Sequence, residues 1–288
     1  MRHQVQQAGL RIDRYCSLYI PEISSLNRAK KWIKQGYIQL NGKCVETSRF
    51  VDKDDVLTLQ LPVVRAEVWK TAIRVLFEDE FLAVVYKPPG LPVGGNRLKT
   101  LRNALPSNLR PSQEADRLPQ PEPVHRLDKR TQGLLIIAKT NRSRHFLGDL
   151  FQQRQIHKEY QCLCIGQAED GESRDAVDGK PALSKWSVLS TMPSYFTEHI
   201  SHLKVHIFTG RHHQIRKHLF WKGHPVLGDD LYCVGRPLRS KGLFLFATGL
   251  RFQHPISQEA IEISLNVPDK IVKRLQFEQR IFQNRQRI

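Results

Sequence analysis

The chemically capable residues of this chain crowd into three polar joints. The first is His125-Arg126-Leu127-Asp128-Lys129-Arg130-Thr131-Gln132-Gly133, immediately ahead of the apolar run Leu134-Leu135-Ile136-Ile137-Ala138. It holds one carboxylate, Asp128, among neighbours that are cationic or can become so. Such surroundings favour the ionised carboxylate, the form a nucleophile or a base must have. A structural Asp–Arg ion pair is the plainer reading of the same residues. The second joint, Thr209-Gly210-Arg211-His212-His213-Gln214-Ile215-Arg216-Lys217-His218, follows a strand-like run and opens a helix. There Arg211, Gln214 and His218 recur at i, i+3 and i+7, the spacing of one helical face. The third is Gly223-His224-Pro225-Val226-Leu227-Gly228-Asp229-Asp230.

His212, His213, His218, His224, Asp229 and Asp230 lie within twenty residues, so metal binding has to be considered. Among them there is no H-x-x-x-H and no H-E-x-x-H pair, and Arg211, Arg216 and Lys217 would repel a cation. Neither G-x-G-x-x-G nor G-x-x-x-x-G-K-[ST] occurs, so no nucleotide cofactor is expected. The lone Asp128 also argues against a metal-dependent nuclease, which needs paired carboxylates.

The elements that must position these joints read as a mixture. Ile73, Val75 and Phe77 alternate, Glu78-Asp79-Glu80 turns the chain, and Phe81–Lys87 reads as a second strand. Gly133–Lys139 has the unbroken apolar character of a strand buried on both faces. Asn141 is placed to cap a helix carrying Phe146, Leu147, Leu150 and Phe151. In Lys158–Gly166, Cys162 and Cys164 should share one strand face with Tyr160. The segment from Asn96 to Pro123 looks irregular, and Gln167–Asp175 looks like a surface loop. Asp269 should cap a terminal helix with Ile271, Leu275 and Phe282 inward. Strands and helices lack a regular βαβ rhythm, so the fold class expected is α+β.

Composition sets the limits. The chain has 288 residues, 40% of them hydrophobic, enough for a packed core. Lys and Arg number 45 against 28 Asp and Glu, a formal charge of +17, which favours a polyanionic partner. No apolar run approaches the ~20 residues of a membrane span, and the first ten residues lack a signal peptide's apolar stretch. The five cysteines are scattered, with no C-x-x-C, as expected of reduced thiols in the cytoplasm.

Residues 11–61 form a unit of their own. Leu26, Ala29, Trp32 and Ile33 recur at helical spacing, and Arg28, Lys30, Lys31 and Lys34 crowd the remaining surface. Gly36 stops the helix, and Ile38-Gln39-Leu40 leads into Asn41-Gly42, the dipeptide of a type I′ hairpin, before a return strand. The unit resembles the S4 RNA-binding module in Ile12-Asp13-Arg14-Tyr15, Asn27-Arg28-Ala29-Lys30-Lys31-Trp32-Ile33-Lys34-Gln35-Gly36, Leu40-Asn41-Gly42-Lys43 and Lys53-Asp54-Asp55-Val56-Leu57. Ile12 stands where Leu is usual, and Leu26-Asn27 where Ser-Arg is frequent. The resemblance implies RNA contact by Arg28, Lys30, Lys31 and Lys34.

From about 73 to 265 the chain resembles the RluA-type pseudouridine synthases. The likeness is carried by His125–Gly133, Lys87-Pro88-Pro89-Gly90-Leu91-Pro92-Val93, Lys158-Glu159-Tyr160, Gly179–Trp186, Gly210–Arg216, Gly223–Asp229 and Phe252-Gln253-His254-Pro255. Gln132 replaces the usual Ser and His212 the usual Thr. The resemblance implies a mixed, mainly antiparallel sheet in a catalytic domain of residues 66–288 behind an S4-like module of residues 1–65. It implies an isomerase that converts uridine to pseudouridine in structured ribosomal or transfer RNA, without cofactor, as a cytoplasmic monomer. Asp128 would be the catalytic aspartate, attacking C1′ or removing a C2′ proton. Tyr160 would stack on the target base, Arg216 pair with Asp128, and Arg126 fill the gap left by the extruded nucleotide. The competing reading is an RNA-binding or ribosome-assembly protein with a degenerate synthase domain; intact Asp128, Tyr160 and Arg216 speak against it.

Overall fold

The computed structural model describes residues 1–23, 25–60, 68–233 and 242–285. The expected boundary between residues 65 and 66 falls outside those described. The N-terminal unit contains β1 (Arg2–Gln4), β2 (Leu10–Arg11), α1 (Ile12–Tyr19), α2 (Leu26–Lys34), β3 (Ile38–Leu40), β4 (Phe50–Val51) and β5 (Val56–Leu59). Ser25 caps α2, its side chain accepting the Arg28 N–H, and Gly36, at φ +75°, lets the chain leave the helix. Ala29, Trp32 and Ile33 are buried with Ile12, Tyr15, Ile38 and Leu57 in a core separate from the rest of the molecule. Asn41 and Gly42 both have positive φ, as a type I′ turn requires. The hairpin is shorter than expected, a single bridge between Leu40 and Lys43. The long partner of β3 is instead β5, because the Asn41 side chain ties the turn to Asp55 and to the Val56 N–H.

The larger unit continues with β6 (Arg74–Glu78), β7 (Leu82–Lys87), α3 (Leu101–Ala104), a 3-10 turn (Leu105–Ser107), β8 (Arg117–Pro123), β9 (Gln132–Thr140) and α4 (Asn141–Gln152). It closes with β10 (His157–Ile165), β11 (Gly171–Ser173), β12 (Ser184–Ser194), β13 (Glu198–Ile207), α5 (Gln214–Trp221), β14 (Leu245–Gln253), β15 (Ala260–Ser264) and α6 (Asp269–Arg285). Ten strands form one sheet in the order β11-β12-β13-β10-β14-β9-β7-β6, with β15 added to β14 and β8 to β9. Among the described residues only the β14–β9 pair is parallel, so the sheet is mixed and mainly antiparallel.

β9 is buried at every residue. Leu135 and Ile137 face the core that holds α3, α5 and Tyr160, while Leu134 and Ile136 face α4. Tyr160, Cys162 and Cys164 share the first of these cores, as their alternation on β10 requires. The stretch from 96 to 123 is more ordered than its prolines suggest, since α3 packs in the core and β8 pairs β9. Likewise β11 interrupts the polar segment 167–175 by pairing with β12. The cap of α4 is Thr140, in a capping box with Ser143. Asn141 instead donates its amide to the Leu18 carbonyl at the end of α1, 2.6 Å away. Arg144 reaches the Ser17 carbonyl from the same helix, so α4 fastens the N-terminal unit to the sheet.

Candidate active site

Asp128 lies on the loop between β8 and β9, its side chain 17% exposed. Three neighbours fix that loop. His125 accepts the Ile136 N–H on Nε2 at 3.0 Å, replacing a bond of the strand ladder. Its ring packs on Phe151 with centroids 4.8 Å apart, and burial pushes its pKa down to about 3. His125 is therefore a neutral acceptor and drops out of the cationic neighbours inferred from sequence. Lys87 is fully buried and donates Nζ to the carbonyls of Pro88, Leu91 and Lys129 at 2.8–3.1 Å. Burial lowers its pKa to about 8, while the negative charge of Asp128 works the other way. Gly133 has φ +123°, and a Cβ there would stand 2.1 Å from the Ala247 carbonyl oxygen. Only glycine lets β9 approach β14 at this point. Gln132 is buried beside the loop, its amide oxygen accepting the Tyr86 hydroxyl at 3.0 Å.

The second joint faces Asp128 from across the cleft. α5 begins at Gln214, so Gln214 and His218 share its buried face, and Arg211 precedes the helix. Both side chains meet Ser184 Oγ, at 2.9 and 3.0 Å, which seats the helix on the start of β12. His213 enters the helix in the left-handed region, at φ +57°. Its Nδ1 bonds the Tyr232 hydroxyl at 2.9 Å, and its Nε2 lies 3.8 Å from the Asp128 carboxylate.

Arg216 pairs with Asp128 as expected, and more tightly with a second carboxylate. Its Nε and Nη2 donate to Asp229 at 2.6 and 2.7 Å, whereas its Nη1 comes only within 3.9 Å of Asp128. The bidentate partner is thus Asp229, from the third joint, whose role could not be assigned from sequence. Burial opposes ionisation of Asp229, but Arg216 and the Leu231 and Tyr232 N–H groups outweigh it and hold its pKa low. A planar guanidinium suits this fork better than an ammonium would.

Asp128, Arg126, Tyr160, His212, His213 and Arg216 line one cleft of about 380 Å³. Tyr160 is 7% exposed, and burial, then the charge of Asp128, keeps its phenol protonated. Arg126 is exposed at the cleft. Ligand atoms of Asp128, His212 and His213 come within 4.8 Å of one another, a grouping of the first and second joints that spacing along the chain did not anticipate. Arg216, 3.9 Å from the same carboxylate, sets positive charge against a cation there. The four basic residues of α2 lie elsewhere. Lys31 and Lys34 are exposed, Lys30 stands 3.8 Å from the buried Asp13, and Arg28 lies over the Trp32 ring. Burial and the nearby Arg102 lower the pKa of Arg28, so it faces the seam with the larger unit.

Sheet, cleft and basic N-terminal unit together are those of an enzyme that isomerises uridine within RNA, as the chain's relatives show. The chain belongs to the RNA pseudouridylate synthases, whose family model matches residues 81–221, and an S4 domain matches residues 10–57. It is 30% identical to ribosomal large subunit pseudouridine synthase D of Vibrio cholerae serotype O1, covering 95% of each chain. It is 33% identical to an uncharacterized RNA pseudouridine synthase of Aquifex aeolicus, over 75% of this chain and 74% of that one. Among solved structures it is similar to human RNA pseudouridylate synthase domain containing 1. That likeness has a TM-score of 0.54 and 25% identity, over 68% of this chain and 84% of that one.

Proposed function

We propose that this enzyme isomerises uridines of large-subunit ribosomal RNA and that Asp128 is its catalytic aspartate. The observation that carries the reading is the cleft in which Asp128, Tyr160 and the buried Arg216 meet. A stacked base must first be extruded, at roughly a few kcal/mol. Arg126, exposed at the cleft, fills the space it leaves, and the extruded uracil stacks on the Tyr160 ring. The Asp128 carboxylate then adds to C1′ or takes the C2′ proton, and the C1′–N1 bond breaks. The freed uracil turns and C5 bonds C1′, displacing the Asp128 ester or, on the deprotonation route, with the C2′ proton returned. The C5 proton is then lost and N1 takes one up. Arg216, held by Asp229, keeps positive charge opposite Asp128 throughout. Lys31 and Lys34 on α2 contact phosphates outside the cleft. A cytoplasmic monomer is the form consistent with this activity.

Two measurements test the reading. Pseudouridine mapping across total RNA from a strain lacking the gene and from its parent should show ribosomal positions lost in the deletion strain. On a responsive transcript Asp128→Asn should bind RNA and form no pseudouridine, and substantial turnover by that variant would sink the assignment. EDTA should leave the rate unchanged once the RNA is refolded under matched conditions.

A further inference from the structure

A second groove of about 460 Å³ adjoins the catalytic cleft and shares with it the wall formed by Arg126, Tyr160, Gly210 and Arg211. Its remaining lining includes Lys158, Arg154, Phe151 and Phe208. Lys158 stands two residues before Tyr160 on β10 and so shares its face. Its Nζ lies 5.6 Å from the centroid of the Phe151 ring, and burial lowers its pKa to about 8. The adjacent carboxylate, Glu159, points to the opposite face, where it pairs with Lys204 and His206. Among the described residues Lys158 has no carboxylate partner, and a half-buried ammonium so placed is costly unless a ligand supplies the anion. Phe208 is 42% exposed at the same groove, and Arg154 and Arg211 add two more cations.

We propose that this groove is a second RNA subsite, which takes the nucleotide next to the target uridine, its phosphate on Lys158 and its base stacked on Phe208. Extruding the target unstacks its neighbour, and an exposed aromatic ring recovers part of that stacking in any sequence. Because Arg126 and Tyr160 belong to both walls, the subsite lies one step along the backbone from Asp128. The inference rests on the reading of function proposed for the cleft.

The test uses the full-length protein and a stem-loop transcript carrying a uridine located by the mapping experiment. Lys158→Met and Phe208→Ala should each raise KM about tenfold with kcat unchanged, the mark of lost binding that is uniform along the reaction. Lys158→Arg should stay near wild type. Methylphosphonate is placed in turn at each linkage flanking the uridine. At one linkage it should bring the wild type to the Lys158→Met level and leave that variant unaffected. Unchanged KM in both variants, a Lys158→Met defect that persists with every neutral linkage, or a loss confined to kcat would overturn the subsite. A wild type inactive on every such transcript would instead overturn the reading of function.

Discussion

The guanidinium of Arg216 commits its fork to Asp229 and leaves one nitrogen 3.9 Å from Asp128, which divides the labour within the cleft. Asp229 aims the cation, and the cation faces Asp128. Both members of the pair are buried, so removing one leaves the other uncompensated at a cost of ~3–5 kcal/mol. Asp229→Asn and Arg216→Leu should therefore both lower the melting temperature and cut activity by orders of magnitude. Arg216→Lys should recover only part, since a point charge cannot span both carboxylate oxygens. The double variant Arg216→Leu with Asp229→Leu separates the two roles. It should regain stability, because apolar residues replace a buried pair at little cost, and it should remain inactive. Near-normal rates for Asp229→Asn would show that Arg216 needs no such holder.

At the scale of the element, the loop before β9 is shaped by groups that never enter the cleft. His125 serves it only as a neutral ring, because Nε2 must keep a lone pair for the Ile136 N–H. In the unfolded chain a histidine titrates near 6.5, against about 3 in the fold. The stabilisation is complete above pH 6.5 and is lost as pH falls toward 3, where the unfolded state binds the proton first. Between pH 6.5 and pH 5 this one group should remove roughly 1–2 kcal/mol. Thermal unfolding across that range should show a steeper decline for the wild type than for His125→Asn. Parallel declines would mean that the ring titrates freely. Lys87 belongs to the same framework, since its three carbonyl bonds join the turn after β7 to Lys129, the residue following Asp128.

Across the whole molecule, charge and docking act together. The N-terminal unit has its own core, yet Asn141 and Arg144 of α4 bind carbonyls of α1 and set its orientation. Of the four basic residues on α2, Lys31 and Lys34 are exposed, while Lys30 offsets Asp13 and Arg28 turns to the seam. Each phosphate that is no longer neutralised lowers the salt slope of log K by roughly 0.9 on duplex or 0.7 on single strand. Lys31→Ala with Lys34→Ala should therefore weaken binding to long RNA and flatten its slope by about 1.4–1.8, with kcat on a short saturating substrate preserved. Superimposable slopes for variant and wild type would assign α2 to packing. Arg144→Ala should keep the slope and lower efficiency only on long RNA, because the basic face survives while its aim is lost.

Much of this could be read in the chain itself. The unbroken apolar run of β9 marked a strand buried on both faces, the +17 charge marked a polyanionic partner, and Asp128 stood out in its joint, while Tyr160 and Arg126 were singled out by the family resemblance. These features are local, since period, turn chemistry and charge act within a few residues of each other. What the tertiary structure decided were the long-range pairings. Asp229 as well as Asp128 pairs with Arg216 and takes its fork, β5 rather than a return strand completes the pairing of β3, and among the described residues Lys158 has no carboxylate partner beside Phe208. Partners of that kind depend on which loops the sheet brings face to face. In this sheet strands distant in sequence are neighbours, as β9 and β14 are, so spacing along the chain carries no record of them.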